Sequence, residues 1–579
     1  MNTKNIKHFI IAGLLSCGVS MAFTSCSDLL DTDSELVEYQ EDNRLQSPTD
    51  SVYSVMGIIY KMQAIADRTV LLGELRGGLT TTTGAASKDL KAIAEFSIDQ
   101  NNSYNRISDY YAVINNCNYY LANINTELVK NGRKVFESEY AVVKAFRAWT
   151  YLQLAQIYGS VPLIIEPVLT EEASKKAMQQ APMDITAICN YFIDDLKPYV
   201  DTKLPAYGQI DGMNSQKFFI PVRALLGDLC LWAGRYTEAA QFYHDYLALR
   251  TNPIPTTTNS ASWDIDRNIK IREFSSPAPS NRIAYSDHSV AECLSFIPME
   301  TGEFYGIKSD LANIFSSTDL NFQYAQVTPT AALRQLSAAQ NYCASYNLVS
   351  GLPDTVYVPK ENLERSEWAG DLRFGTVYSY DVKVQERFAR VSENVQRINK
   401  FNSRGVTIYR VGMVYLRYAE ALNRAGFPQA AFAVLKYGLY PDIVNKQVDD
   451  TERATGGNLI SFNGDDFTLA NTQGIHSRGC GDAECDTLYQ MPQPTTALAS
   501  RADTVAYQIP LVEDLIIDEM ALEGAFEGYR FYDLMRVALR RGNPAYLADP
   551  VSRRSGVVDE QLRSLLLNTN SWYLPKTAL

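Results

Sequence analysis

The segment from Ser138 to Ile164 constrains the fold of this chain more than any other stretch. It reads SEYAVVKAFRAWTYLQLAQIYGSVPLI. Ser138 can cap the N-terminus of a helix, and Gly159 and Pro162 mark its end. The apolar side chains cover most of the helix circumference, which is typical of a helix packed between neighbours. The segment therefore predicts a helix inside a stack of helices.

Two further segments have the pattern of paired helices. Pro221–Leu249 and Val414–Leu435 each join two apolar stretches through Ala-Gly, with small residues that let helices approach closely. Helices are also predicted over residues 51–68 and 104–121 from apolar and aromatic residues at helical spacing. Helix pairs of this kind favour a mainly α fold with tetratricopeptide-like repeats.

Two regions lack helical periodicity. Residues 73–84 are rich in Gly and Thr, which predicts an exposed loop. Residues 252–401 are dominated by Pro, Ser, Thr, Asn and Tyr. Because a long irregular region in a compact protein usually carries function, we expect this loop-rich part to face a ligand.

The N-terminus has the pattern of a lipoprotein signal peptide, residues 1–25. Lys4 and Lys7 precede an apolar run and then Thr24-Ser25-Cys26. Cleavage before Cys26 and lipidation of its thiol would anchor the chain to a membrane. An ordinary secretory signal with an incidental Cys is the alternative. Residues 26–45 form a polar, acidic tether, and no later stretch is apolar enough to span a bilayer.

Composition excludes one class of partner and favours another. The net charge of −13 argues against nucleic acid, whose phosphates need clusters of Lys and Arg. The chain has 36 Tyr, a residue that presents a flat ring with a polar tip and suits contact surfaces, including those that meet sugars.

Several motifs occur in order over nearly the whole chain after the signal. The first has the form A-x4-F-R-A-x2-Y-x2-L-x3-Y-G-x-V-P-L-I and comprises Ala141, Phe146, Arg147, Ala148, Tyr151, Leu154, Tyr158, Gly159, Val161, Pro162, Leu163 and Ile164. Further motifs are Asp371-x-Arg373, Asn399-Lys400-Phe401, the phrase from Tyr415 to Asn423, and Trp572-Tyr573-Leu574-Pro575. The last helical segment adds Glu523, Phe526, Glu527, Gly528, Arg530, Asp533, Leu534 and Arg536. Together they resemble the SusD/RagB family of outer-membrane nutrient-binding lipoproteins.

The resemblance implies a mainly α SusD-like fold. Tetratricopeptide-like helix pairs would form a right-handed superhelical scaffold, joined to a large irregular loop-rich region. An N-terminal SusD-like helical region is expected over residues 46–250, and a C-terminal RagB/SusD region over 251–579.

The resemblance also implies a function without catalysis or cofactor. The chain is expected at the cell surface, lipid-anchored in the outer membrane, where it would capture oligosaccharides and deliver them to a SusC-type TonB-dependent transporter. A protein-interaction scaffold or a peptide-binding component of the same uptake complex is the alternative. A glycan-processing enzyme is a third interpretation.

Loop aromatics and nearby polar residues are the candidates for ligand contact. They are Arg76, Lys88, Tyr104, Trp263, Tyr285, Tyr305, Tyr342 and Trp368. Joint substitution of Trp263 and Trp368 is expected to abolish glycan retention. Trp149 and Trp232 lie on repeat helices and are assigned to the core.

Residues with catalytic or metal-binding potential favour structural roles. Glu527, Arg530, Asp533 and Arg536 alternate in charge at i, i+3 spacing, which predicts a salt-bridge ladder with lowered carboxyl pKa values. A general acid needs a raised pKa.

The cysteines leave several possibilities open. Cys117, Cys189 and Cys230 are expected to be buried thiols. Cys480 and Cys485 could form a disulfide, remain free thiols, or bind a metal together with His476. No second ligand cluster accompanies them, which argues against zinc.

Overall fold

The computed structural model describes most of the chain. The described residues are 45, 47–248, 262–265, 271–275, 287–301, 304–316, 325–347, 353–357, 370–381, 395–402, 404–438, 441–461 and 474–576. The predicted signal peptide, Cys26 and almost all of the tether lie outside them and stay predictions. No helix within the described ranges has both the length and the apolar character needed to cross a membrane.

Residues 47–248 are helical, with short hairpins at the connections. The helices are α1 (Pro48–Glu74), α2 (Lys88–Ala94), α3 (Ile107–Asn123), α4 (Glu137–Tyr158), α5 (Glu171–Ala177), α6 (Ile185–Leu196), α7 (Val222–Trp232) and α8 (Tyr236–Leu247). The strands are β1 (Thr80–Thr82), β2 (Val129–Lys130), β3 (Arg133–Lys134), β4 (Val161–Pro162), β5 (Pro182–Met183), β6 (Gln209–Ile210) and β7 (Met213–Asn214).

The described parts of residues 262–410 hold short strands and short helices. The strands are β8 (Ser262–Ile265), β9 (Ile271–Ser275), β10 (Cys293–Pro298), β11 (Val327–Pro329), β12 (Cys343–Asn347), β13 (Pro353–Tyr357), β14 (Tyr378–Asp381), β15 (Val395–Ile398) and β16 (Gly405–Arg410). The helices are α9 (Leu311–Phe315), α10 (Ala331–Ala339) and α11 (Leu372–Val377).

The last part of the chain returns to helices. They are α12 (Val411–Arg424), α13 (Pro428–Lys436), α14 (Pro441–Gln447), α15 (Asp450–Gly456), α16 (Ser477–Cys480), α17 (Arg501–Glu523), α18 (Arg530–Arg541), α19 (Ala545–Ser552) and α20 (Glu560–Leu566).

The strands pair only in antiparallel twos within the described residues. Most pairs are local hairpins, but β1 pairs with β11 and β10 pairs with β16 across long stretches of chain. The β10–β16 pair contains an irregular register near Ser295. The mainly α fold class is therefore confirmed. The β1–β11 and β10–β16 pairs connect segments that are distant in the chain.

Helix α4 confirms the prediction of a helix clamped on all sides. From Ala141 to Tyr158 all residues except Gln153 are buried. The helix ends at Gly159, whose φ of 73° lies in the region that favours glycine. The predicted cap was wrong, because Phe136 occupies the N-cap position without a side-chain cap and Ser138 lies within the first turn.

Consecutive helices pack against one another through much of the chain. The order of contact is α3 on α4, α4 on α6, α6 on α7, α7 on α8, then α8 on α12 and α12 on α13 and α17. A Cβ at Gly227 would lie 2.4 Å from the ring of Tyr243, so glycine allows α7 and α8 to approach this closely. The two predicted helix pairs are confirmed. The handedness of the stack and the boundary at residue 250 stay predictions.

The predicted exposed loop at residues 73–84 was wrong over its first two thirds. Residues 73–80 are buried. Helix α1 continues to Glu74, and a Cβ at Gly73 would lie 1.7 Å from the carbonyl oxygen of Gly528. The glycines here serve close packing of backbones instead of exposure.

Candidate functional site

Helix α1 exposes aromatic side chains along one face. Tyr53, Tyr60 and Asp67 are spaced seven residues apart, so they share a face of the helix. Tyr53 is 74% exposed and Tyr60 is 47% exposed. Gly57 lies between them, and no heavy atom of the described residues lies within 4 Å of the position that a Cβ would take there. The face is therefore flat between two exposed rings.

The loop of residues 304–310 is fixed against the same helix. The backbone N–H of Ile307 donates to Oε1 of Gln63 at 2.9 Å, and Nε2 of Gln63 donates to the carbonyl of Pro298 at 2.8 Å. A Cβ at Gly306 would lie 1.9 Å from the same Oε1, and the φ of 146° also favours glycine. Glycine therefore permits the loop to lie directly on α1.

A second anchor holds the far end of this loop. Asp67 accepts a hydrogen bond from the Ser309 hydroxyl at 2.7 Å and one from the backbone N–H of Asp310 at 2.8 Å. Residues 309–310 thus lie at Asp67 and residues 306–307 at Gln63. The loop therefore runs in the same direction as α1, and Tyr305, which precedes Gly306, lies toward the Tyr60 side of Gln63.

Tyr305 completes an exposed aromatic surface. It is 83% exposed, and Ile307 in the same loop is 42% exposed. We call the set Tyr53, Tyr60, Tyr305 and Ile307 the tyrosine surface. Most large apolar side chains of a soluble protein are buried, so a concentration of exposed ones marks a contact surface.

Polar groups border the tyrosine surface at Asp67. Burial raises the pKa of Asp67 to about 6, against the hydrogen bonds from Ser309 and Asp310 that lower it. Tyr104 is half-buried, and burial together with the nearby carboxylates of Asp67 and Asp310 raises its pKa to about 12.

The start of α2 extends this polar border. Asp89 accepts hydrogen bonds from the hydroxyl and the backbone N–H of Ser103, and these bonds lower its pKa. They tie α2 to the loop that carries Tyr104. Lys88, next to Asp89, is exposed. Hydroxyl, carboxylate and ammonium groups are thus present beside exposed rings.

The structure therefore places two of the predicted ligand residues, Lys88 and Tyr104, on neighbouring segments tied through Asp89 and Ser103, and a third, Tyr305, in the loop that Gln63 and Asp67 hold against α1. Sequence reasoning missed Tyr53 and Tyr60, because they were included in the helix of residues 51–68 as ordinary helical positions. Their spacing of seven, with glycine between them, was the available signal.

Arg76 does not join this surface. It is 1% exposed and its guanidinium donates to the carbonyls of Leu72 and Trp572, each at 2.7 Å. It also lies over the ring of Phe531, 4.2 Å from the centroid. The assignment of Arg76 to a ligand site is corrected to a structural role, since its donors serve the protein itself.

The other candidates are buried or lie outside the described residues. Tyr342 is 4% exposed and lies against Gly481, so its assignment to ligand contact is corrected to a buried position. Tyr285 and Trp368 lie outside the described residues, and for Trp263 only the backbone of β8 is described. Trp149 is buried as predicted, whereas Trp232 is only half-buried.

The predicted salt-bridge ladder on the last motif was largely wrong. Asp533 does pair with Arg536 at 2.9 Å. Glu527, however, accepts from Lys400 at 2.5 Å and Arg410 at 2.7 Å, and not from its helical neighbour. Burial raises the pKa of Asp533, opposite to the expected direction. The ion pairs form with residues that are distant in the sequence. The i, i+3 spacing of the motif cannot reveal such partners.

These residues belong to a larger set of buried charges, which we call the buried ion network. Its members are Glu292, Asp371, Arg373, Lys400, Arg410, His476, Arg478, Glu519, Glu523 and Glu527. At its centre, Glu523 accepts from Arg373 at 2.8 Å, Arg410 at 2.7 Å and Arg478 at 2.5 Å. Burial alone would raise the pKa of Glu523, but these three guanidinium groups hold it below its usual range. A carboxyl held ionised in this way is not a general acid.

The cysteine and histidine candidates have different surroundings in the structure. Cys480 and Cys485 are not joined by a disulfide, and Sγ of Cys480 lies 3.4 Å from Oδ2 of Asp371. His476 stacks on Tyr489 and contacts Glu519 at 2.9 Å through Nδ1. The three residues of the metal alternative thus have different partners, and no group of three possible metal ligands occurs in the described ranges.

Cavities offer a second place to consider for a ligand. The cleft beside Trp232, Arg417 and Tyr529 has a volume of about 60 Å³, which accommodates a few water molecules. A groove of about 420 Å³ between α3 and residues 164–178 has its amide groups committed, since Asn115 and Asn118 bond to backbone. Neither combines exposed rings with available polar groups.

Comparison with known proteins establishes the fold. No family model matches the sequence, and no curated protein sequence matches it. Solved structures do match. One is a SusD homolog from Bacteroides thetaiotaomicron, 15% identical with a TM-score of 0.54, over 91% of this chain and 94% of that chain.

Two other structures agree. A SusD superfamily protein from Bacteroides vulgatus is 14% identical with a TM-score of 0.53, over 91% of this chain and 98% of that chain. The chain has a SusD-like fold. A SusD-like carbohydrate binding protein from Bacteroides fragilis is also 14% identical with a TM-score of 0.53, over 86% and 88%. The fold implied by the sequence motifs is thus confirmed, at identities where sequence comparison alone finds no match.

Proposed function

We propose that this chain is a glycan-binding protein that holds oligosaccharides on the tyrosine surface without cleaving them. The observation that carries the proposal is the exposure of Tyr53 and Tyr60 on one face of α1 and of Tyr305 in the loop held against that helix, with Asp67 and Tyr104 toward the far end of the face. Similarity to a SusD-like carbohydrate binding protein supports the same ligand class.

The chemistry of the surface suits sugars. A tyrosine ring offers an apolar face for the C–H side of a pyranose, and its hydroxyl can donate and accept hydrogen bonds. Tyr53 and Tyr60 are about 10 Å apart along the helix axis, so a short oligosaccharide can contact both rings. Carboxylates and an ammonium group at the border can bond sugar hydroxyls.

The lipid anchor, the cell-surface location and the transporter partner are inferred from the sequence. Lipidation of Cys26 would anchor the protein to the outer membrane with its bulk at the cell surface, tethered by residues 26–45. From there it would pass oligosaccharides to a SusC-type TonB-dependent transporter. The buried ion network supports a binding role over catalysis, since its carboxylates are held by arginine and lysine.

Titration calorimetry against a panel of polysaccharides and oligosaccharides tests the proposal. We expect one glycan class to bind and to be recovered intact. The double variant Tyr60→Ala/Tyr305→Ala should bind that glycan at least about tenfold more weakly, a loss of about 1.4 kcal/mol. The single variants should show intermediate losses.

Tyr507→Ala is the matched control. Tyr507 is also an exposed tyrosine, at 40%, but it lies on α17. Equal weakening by the control and the double variant would contradict the assigned surface. Binding of no glycan, with capture of a peptide or of the transporter alone, would favour the peptide or scaffold alternative, and breakdown of the bound glycan would favour an enzyme.

A further inference from the structure

Two cysteines that are distant in sequence lie together in the structure. Sγ of Cys485 is 3.5 Å from Sγ of Cys343. Sequence reasoning considered Cys485 only with Cys480, because those two are close in the chain. The structure gives Cys485 a different neighbouring thiol.

The backbone around these thiols is fixed by direct contacts. Cys343 forms a parallel bridge with Gly481, and the N–H of Asp482 donates to the carbonyl of Cys343 at 3.0 Å. A Cβ at Gly481 would lie 1.9 Å from that carbonyl oxygen, and the φ of 88° there also favours glycine. The approach of the two segments is therefore part of the fold, and it holds the two sulfurs 3.5 Å apart, against about 2 Å in a disulfide bond.

The turn from Asp482 to Cys485 brings the sulfur of Cys485 to the carbonyl oxygen of Asp482, which the sulfur of Cys343 also contacts. Sγ of Cys485 lies 3.4 Å from the carbonyl of Asp482, and Sγ of Cys343 lies 3.3 Å from that same oxygen. Cys485 is half-buried while Cys343 is buried. A thiol reagent can therefore reach Cys485 first.

We propose that Cys343 and Cys485 form a disulfide when the protein meets a disulfide oxidant. The thiolate of Cys485 attacks the oxidant, which releases one thiol and leaves a mixed disulfide on Cys485. The thiolate of Cys343 then attacks that sulfur and expels the second thiol. Two thiols of the protein lose two protons and two electrons, and the oxidant becomes two thiols.

This cross-link would tie β12 to the segment of residues 481–486. The closed loop includes Arg373, Lys400, Arg410 and Arg478, which supply the buried ion network with its positive side chains. Restricting this loop in the unfolded chain stabilises the folded state. The proposed location at the cell surface would favour oxidation, but the geometry of the pair does not depend on that location or on glycan binding.

Peptide mapping after oxidation tests the proposal. The purified protein is incubated with oxidised glutathione, its remaining thiols are alkylated, and it is digested without reduction for mass spectrometry. Because burial raises the pKa of both thiols, the incubation is done at mildly alkaline pH over hours. We expect a cross-linked peptide joining Cys343 to Cys485, and a melting temperature several degrees above that of the reduced protein.

Two variants complete the test. Cys485→Ser should lose both the cross-link and the redox dependence of the melting temperature, while Cys480→Ala should keep both. Alkylation of Cys343 and Cys485 after oxidation, a stable glutathione adduct on Cys485, or a cross-link between Cys480 and Cys485 would overturn the proposal. If Cys480→Ala does not fold, the peptide map of the unchanged protein still shows whether Cys485 is joined to Cys343 or to Cys480.

Discussion

The two ends of α1 show how differently this protein uses its surface and its interior. Near the start, Tyr53 and Tyr60 project into solvent with a bare glycine between them. In the last turn, Glu74 is fully buried and accepts a hydrogen bond from the N–H of Gly528 at 3.0 Å, beside Lys400 and Glu527 of the buried ion network. One helix thus connects the candidate ligand surface to the charged centre of the fold.

The comparison separates residues that identify the fold from residues that we propose as ligand contacts. Asp371, Arg373, Lys400, Glu523 and Glu527 belong to the sequence motifs, and each is buried in the ion network. The tyrosine surface contains no motif residue. Motifs can therefore identify a SusD-like fold while saying nothing about which ligand the protein holds.

Substitution of Arg373 should have the largest effect on stability. Arg373→Met leaves the carboxylates of Asp371, Glu519 and Glu523 buried without one of their partners. We expect a loss of about 3–5 kcal/mol in the free energy of unfolding. Denaturant titration followed by circular dichroism measures this loss. Any folded fraction should bind glycan with unchanged affinity if the network and the tyrosine surface act separately.

Arg563→Met is the control for this substitution. Arg563 pairs with Asp549 at 2.7 Å, but both side chains are more than a third exposed. We expect a change of about 0–1 kcal/mol there. A loss at Arg563 equal to that at Arg373 would contradict the distinction between interior and surface charges.

Glu74 should give a smaller effect that depends on pH. Burial raises its pKa from 4.5 to about 7, so the folded state binds this proton more tightly than the unfolded state does. Its contribution to stability is complete below pH 4.5 and is lost as pH rises through 7. The difference corresponds to about 3 kcal/mol. In Glu74→Gln that part of the pH dependence should disappear.

Denaturant titrations at pH 5 and pH 8 test this sign. The Glu74→Gln protein should lose less stability between the two values than the unchanged protein does. Glu560→Gln, at an exposed position in the first turn of α20, is the control and should not alter the pH dependence. A Glu74→Gln protein with the original pH dependence would show that Glu74 is ionised in the folded state already at pH 5.

Local pattern predicted the helices well because their determinants are local. Helix α4 was found from apolar residues on all faces and from Gly159 at its end. The helix pair α7 and α8 was found from small residues and a Gly turn. In both, neighbours in the sequence decide the structure.

The buried ion network could not be predicted because its partners come from distant segments. Glu527 is held by Lys400 and Arg410, not by the residue one turn away. Arg76 was misplaced for a related reason. The glycines around it suggested a loop, whereas Gly73 packs against the backbone of residue 528, far along the chain.

Gly57 offers the smallest effect on stability and the sharpest test of the tyrosine surface. Glycine inside a helix costs about 0.5–1 kcal/mol relative to alanine. Because a Cβ at this position meets no described heavy atom within 4 Å, Gly57→Ala should stabilise the protein by about that amount. Thermal unfolding measures the gain.

Gly57→Arg places a long side chain between Tyr53 and Tyr60 without entering the core. We expect a gain in stability close to that of Gly57→Ala, since Arg and Ala have similar helix propensities, while glycan affinity falls about tenfold in calorimetry. Ser564→Arg adds the same side chain at an exposed position of α20 and should leave affinity unchanged. Unaltered glycan binding by Gly57→Arg would place the ligand away from this face of α1, since a bulky cation between the two rings cannot coexist with a sugar lying across both.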